Sequence, residues 1–137
     1  MLGAFEAEYS WSMQRRIWFL ACLGALLAGG LGSTLSAATP SLSVSPASVR
    51  AGATVRLSGS ADGCTAGSNA FLLSRAFVRR HEFAGVPAVL ARVHPGGGFK
   101  VWTTIPRSRR PGRYVITGRC GGGNLGFAVS LRVRSSA

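Results

Sequence analysis

The stretch GRYVITGRCGGGNLGF, Gly112–Phe127, decides the fold through one residue, Cys120. A cysteine followed by glycines suits four chemistries: a nucleophile on a flexible loop, a metal ligand, part of a phosphate cradle, or half of a disulfide. Alternation sets its direction. Tyr114, Ile116, Gly118 and Cys120 stand two residues apart, and such side chains share one face of a strand, so Cys120 points with Tyr114 and Ile116 toward a core. The glycines behind it lead to Phe127 and another alternating run. A phosphate loop would lead into a helix, usually with a lysine, so these glycines read as a hairpin turn, as does PGGG at Pro95–Gly98.

The partner of Cys120 follows from the start of the chain. Arg15 and Arg16 precede an uncharged apolar run, Ile17–Leu31, and the small residues of GSTLSAATP follow it, which reads as a secretory signal-peptide helix over residues 13–38. Cleavage after Ala38 places Ser36 and Ala38 at the −3 and −1 positions, and cleavage after Ala37 fits nearly as well. Residues 1–12 carry two glutamates and no basic residue, unlike a signal's basic head, so Met13 is the expected start and 1–12 an over-extended one. The apolar run is 15 residues, short of a spanning helix, which places an uncleaved anchor second. Cys22 sits in mid-run with Leu20 two residues before it, where a lipidation signal has a small residue. Signal removal leaves Cys64 and Cys120, an even count in an oxidising compartment, and that pattern reads as a disulfide. His81 and His94 show no ligand spacing to either thiol, so no metal and no cofactor is expected.

From Pro40 onward no long helical period appears. Short alternating runs recur between Gly, Pro and Ser turn signals: Leu42 and Val44; Val55 and Leu57; the denser Asn69–Ser74; Val89, Ala91 and Val93; Phe99, Val101, Thr103 and Ile105; Tyr114 to Cys120; Phe127, Val129, Leu131 and Val133. This predicts an all-β domain over residues 39–137 with about seven antiparallel strands in two sheets. AFVRRHEF extends the third strand, pairs anew or makes a short helical turn. Cys64 follows the second strand across a short turn, so its bridge to Cys120 is expected to staple one sheet to the other.

The succession SVSPASVRAGATVRLSGS, then GC, a GGGF turn into a strand ending in IP, then RPGRYVITGRC and a last alternating strand, resembles the secreted bacterial immunoglobulin-like domains of cell-surface proteins. The resemblance covers roughly Pro40 to Val133, about one domain. It implies a β-sandwich and gives Tyr114 the part of the tyrosine that pins the start of the sixth strand, although antibody-type domains place it nearer the cysteine. Two departures stand out: no tryptophan in the third strand, and the unusual segment RAFVRRHEFAG, Arg75–Gly85. A weaker likeness reaches the neocarzinostatin-like chromoproteins, implying a carrier of a small apolar ligand in a cleft between the third, sixth and seventh strands. Those domains carry two disulfides and tend to be acidic.

Charge narrows the function. Lys and Arg number 16 against 4 acidic residues, a net +12 over 137 residues, and every basic residue except Lys100 is arginine. Partners are therefore expected to be anionic. Arg75, Arg79 and Arg80 cluster in one segment and Arg107, Arg109, Arg110 and Arg113 in the loop before Tyr114; these, with Trp102 on the outward phase of its strand, are the candidate contacts. Arg56, Arg92, Lys100, Arg119, Arg132 and Arg134 also take the outward phase, spread over both sheets rather than gathered in one groove. An exported basic domain meets anionic cell-wall polymer, polysaccharide and phospholipid head groups before nucleic acid, which also lacks an aromatic platform motif here. Another surface protein is the second class of partner, and membrane contact is expected only through an uncleaved signal.

Catalysis finds little footing. Asp62 reads as a turn residue capping local backbone, Glu82 beside His81 as a solvated pair, and no nucleophile motif frames a serine for a Ser-His-Asp set. The expected protein is a small secreted, non-catalytic immunoglobulin-like binding or structural module at or outside the cell envelope.

Overall fold

The computed structural model describes residues 39–135. The over-extended start expected at 1–12 and the signal segment expected at 13–38 lie outside the described residues. Within them the chain is all β, with nine strands: β1 Ser41–Ser45, β2 Ser48–Arg50, β3 Thr54–Ser60, β4 Asn69–Leu73, β5 His81–Phe83, β6 Val86–Arg92, β7 Gly98–Thr104, β8 Gly112–Cys120 and β9 Gly123–Arg134. They form a three-stranded sheet, β1-β3-β7, and a six-stranded sheet, β2-β9-β8-β4-β6-β5.

The seven expected runs each form a strand, and the two additions are short. β2 follows β1 across the cis Ser45–Pro46 peptide and moves the chain from the small sheet to the large one, where it pairs parallel to β9. Three residues are too few to display a period. β5 is the outcome for AFVRRHEF: the chain leaves β4, turns at Ser74, and returns as a hairpin with β6 through Ala84 and Gly85, whose φ values are 50° and 78°. Positive φ at both central residues is what a type I′ hairpin turn requires, yet Ala-Gly lacks the Asn or Asp that usually announces such a turn.

Both sheets turn their alternating apolar side chains onto one core. Leu42, Val55, Leu57 and Phe99 come from the small sheet, and Ala70, Leu72, Ala91, Ile116, Leu131 and Val133 from the large one. Phe77 is fully buried although it belongs to no strand. The Ser74 hydroxyl, itself buried, accepts the Ala76 N–H at 3.2 Å and the Ser74 carbonyl accepts the Phe77 N–H at 3.2 Å, a turn that points Phe77 inward.

Cys120 keeps the inward phase of Tyr114 and Ile116 but sits half-buried at the end of β8, bonded to Cys64 with 5.7 Å between the Cα atoms. Cys64 lies in the loop leaving β3, in a turn closed by its own N–H donating to the Ala61 carbonyl at 2.9 Å, with Asp62 inside it. The bridge thus ties the passage out of the small sheet to the large sheet.

One glycine on β8 is required by packing. The β8–β9 register slips between Thr117 and Arg119, the extra residues being on β9 around Gly126, where φ is 83°. This bulge lays the rings and methyls of Phe127 and Leu125 over Gly118, with Phe127 Cε2 only 2.6 Å from where a Cβ would stand. Gly118→Ala should therefore lower stability by about 1–3 kcal/mol through overpacking. A urea unfolding midpoint unchanged by this substitution would show that Phe127 has room to move.

A groove lined by four arginines

The outward arginines are not evenly dispersed. Strand register places Arg50 of β2 opposite Arg134 of β9, and Arg132 of β9 opposite Arg113 of β8. Arg132 and Arg134 are two residues apart, so all four guanidinium stems rise from one face of three neighbouring strands. All four are exposed, and they line an open groove of about 680 Å³ with Pro111, Gly112, Val133 and Ser135. Asp62 and Glu82, the acidic side chains of the described residues, do not line it. Like charges directly opposite in a sheet repel, at some tenths of a kcal/mol per pair. An anion laid along the groove removes that repulsion and gives the planar guanidinium forks something to pair with.

The expectation that the outward arginines would spread without forming a groove is thus corrected for Arg132 and Arg134. Arg50 was not among the candidate contacts. It sits in the three-residue β2, whose parallel pairing with β9 leaves no local sequence mark.

The candidates named from the sequence fall into different situations. Arg75, Arg79 and Arg109 do converge, around a smaller depression of about 290 Å³ with Gly85, Pro87 and Tyr114. Two of these three are engaged internally. Arg109 donates from Nε to the Ala76 carbonyl at 3.2 Å and from Nη2 to the Phe77 carbonyl at 3.0 Å, holding the turn that buries Phe77. Arg79 is paired with Glu82 at 2.9 Å on the exposed surface, so Glu82 belongs to this ion pair rather than to His81. Arg107 lies across Gly52, its Cγ 2.9 Å from where a Cβ would stand. The Arg110 carbonyl accepts the Tyr114 hydroxyl at 2.6 Å, while the Arg110 side chain is exposed. Arg119 is half-buried, stacked over the Phe83 ring with its guanidinium carbon 5.0 Å from the centroid. Arg113 alone of the sequence candidates joins the four-arginine groove.

A second groove, of about 380 Å³, lies between β6 and β7. Trp102, 61% exposed, and Val78, 38% exposed, line it with Arg80, His81, Thr54, Thr104 and Leu90. Among the described residues, no group of three or more His, Cys, Asp or Glu side chains could hold a metal ion.

No protein-family model matches the chain. No curated protein sequence matches it. Among solved structures the chain is similar to part of the Pseudomonas fluorescens alkylpurine DNA glycosylase AlkC bound to DNA containing an abasic site analog, at a TM-score of 0.46 and 19% identity. That similarity covers 69% of this chain and 29% of the glycosylase chain, so the present chain spans less than a third of it.

Proposed function

We propose that the chain is a small secreted, non-catalytic, immunoglobulin-like module that binds anionic polymers of the cell envelope. The observation that carries the binding reading is the in-register row Arg50–Arg134 and Arg113–Arg132, with neither acidic side chain of the described residues in its groove. Four exposed guanidinium groups on one face attract a polyanion over a Debye length and can grip adjacent anionic groups by paired hydrogen bonds.

Topology supports the immunoglobulin-like reading. β1-β3-β7 takes the order A-B-E, and β9-β8-β4 the order G-F-C with β6 beside C, which is the division of strands in such sandwiches. The hydroxyl of Tyr114, near the start of β8, reaches back four residues to the Arg110 carbonyl, as the tyrosine of the E–F corner does. The Cys64–Cys120 bridge joins the chain after β3 to the end of β8, near the B–F position, and a stable disulfide fits export to an oxidising compartment.

The test is a comparison at equal charge. The triple variant Arg50→Gln, Arg113→Gln, Arg134→Gln and the triple variant Arg75→Gln, Arg79→Gln, Arg80→Gln remove the same three charges from different places. On a polyphosphate-coupled matrix the first should elute at clearly lower salt than the second. Equal elution would reduce the interaction to net charge and remove the groove from it.

A further inference from the structure

β7 is an edge strand with a free side. Among the described residues it pairs with β3 and with no other strand, because β6, joined to it by the His94–Gly98 turn, departs into the other sheet. In an antiparallel ladder, alternate residues bond the neighbour and the rest face away. Ile105 donates its N–H to the Ala53 carbonyl at 2.9 Å, which puts Thr103, Val101 and Phe99 in the phase that bonds β3. At the other end the Gly98 carbonyl accepts the His94 N–H at 2.9 Å, away from β3. Lys100, Trp102 and Thr104 share the phase of Gly98. Their backbone N–H and C=O groups therefore face the open side, where no intramolecular backbone partner meets them among the described residues.

The same three residues are exposed, and Trp102 and Thr104 line the groove between β7 and β6. An unpaired row of donors and acceptors beside a groove is the template for strand addition. The charges around it select the strand. Lys100 stands on the edge itself, Arg80 and His81 line the groove, and Arg56 lies opposite Trp102 on β3. A lysine on an edge opposes pairing with a second copy of so basic a chain, whereas it attracts an acidic one.

We propose that β7 is a docking edge for an extended acidic peptide segment of another protein, which adds as a fourth strand beside Lys100–Thr104 with Trp102 packed on its side chains. The site is independent of the arginine groove and stands or falls separately from it.

The probe is a capped heptapeptide of alternating valine and glutamate, titrated into the protein by calorimetry and followed at backbone amides by NMR. It should bind, with the largest shifts at Lys100, Trp102 and Thr104. A peptide of the same sequence, N-methylated on the residues that would bond β7, should not. Lys100→Pro removes an N–H that β3 does not use, a position where an edge strand tolerates proline, and should weaken binding about tenfold beyond Lys100→Gln, which removes the charge alone. Thermal melts check that the proline variant is folded; if it is not, the N-methylated peptide decides against the unaltered protein. Equal binding of the two peptides overturns the proposal. So does a neutral chito-oligosaccharide that binds through Trp102 where the peptide does not, which would make the groove a sugar site. So, too, does a dimer seen by sedimentation and abolished by Lys100→Pro, which would give the edge to a second copy.

Discussion

The double variant Cys64→Ala, Cys120→Ala should unfold with about 4 kcal/mol less stability than the oxidised protein, from the loop-closure entropy that the bridge removes from the unfolded chain. The two cysteines are 56 residues apart, and the bridge closes that whole stretch, from the loop after β3 to the end of β8. Both are only half-buried, so the loss comes mainly from the unfolded state and little from packing. For a domain of this size, a change of that magnitude lowers the melting temperature by roughly 15–30 °C. Calorimetry with and without reductant gives the same comparison without substitution. A shift of only a degree or two would mean that residual structure in the reduced chain already holds the two segments together.

Phe77→Ala should cost about 3–5 kcal/mol, the range for deleting a buried phenylalanine side chain. Phe77 has no exposure and is the largest fully buried side chain among the described residues, reaching the core from the turn between β4 and β5. The cavity it leaves is held open. Arg109 clamps the carbonyls of Ala76 and Phe77, and Ser74 accepts the N–H groups of the same two residues, which resists inward settling of the backbone. This places the cost toward the upper end of the range. Denaturant midpoints of Phe77→Ala and Phe77→Leu separate cavity from side-chain loss: leucine should recover more than half of the effect, and a Phe77→Ala midpoint near that of the unaltered protein would mean that the turn does collapse.

The turn around Phe77 also shows where local sequence stops being informative. RAFVRRHEFAG carries an arginine-rich, helix-compatible pattern, and the period alone left strand extension, re-pairing and a helical turn open. The outcome depends on Arg109, more than thirty residues away, satisfying the two carbonyls that the turn leaves unpaired. Without that partner the buried backbone would be costly. Arg109 reads from its neighbours, Arg107 and Arg110, as one more surface charge, and its structural task becomes visible only across that distance.

The candidate site divides in the same way. Arg113, read as a loop residue, lies instead on β8, one residue before the alternation becomes visible at Tyr114. Arg132 and Arg134 stand on the outward phase of a strand that the alternation marks clearly, so their exposure was legible. Their convergence was not. It depends on which strand lies beside which, and on β2 crossing to the large sheet to bring Arg50 opposite Arg134. The free edge of β7 was likewise out of reach, since a strand's period is the same whether it has one neighbour or two.

The sequence by itself determined the all-β class, the seven principal strands, the inward phase of Cys120 and its pairing with Cys64. The first three rest on the two-residue period of side chains, a property of the chain alone, and the pairing on the two thiols that remain once Cys22 is read as part of a signal segment. Tertiary structure decided which cations gather, which are held by backbone carbonyls or by Glu82, and which backbone groups remain unpaired. Those outcomes depend on strand order and register, set by how two sheets close over one core, and residues far apart in sequence meet only when that closure is made.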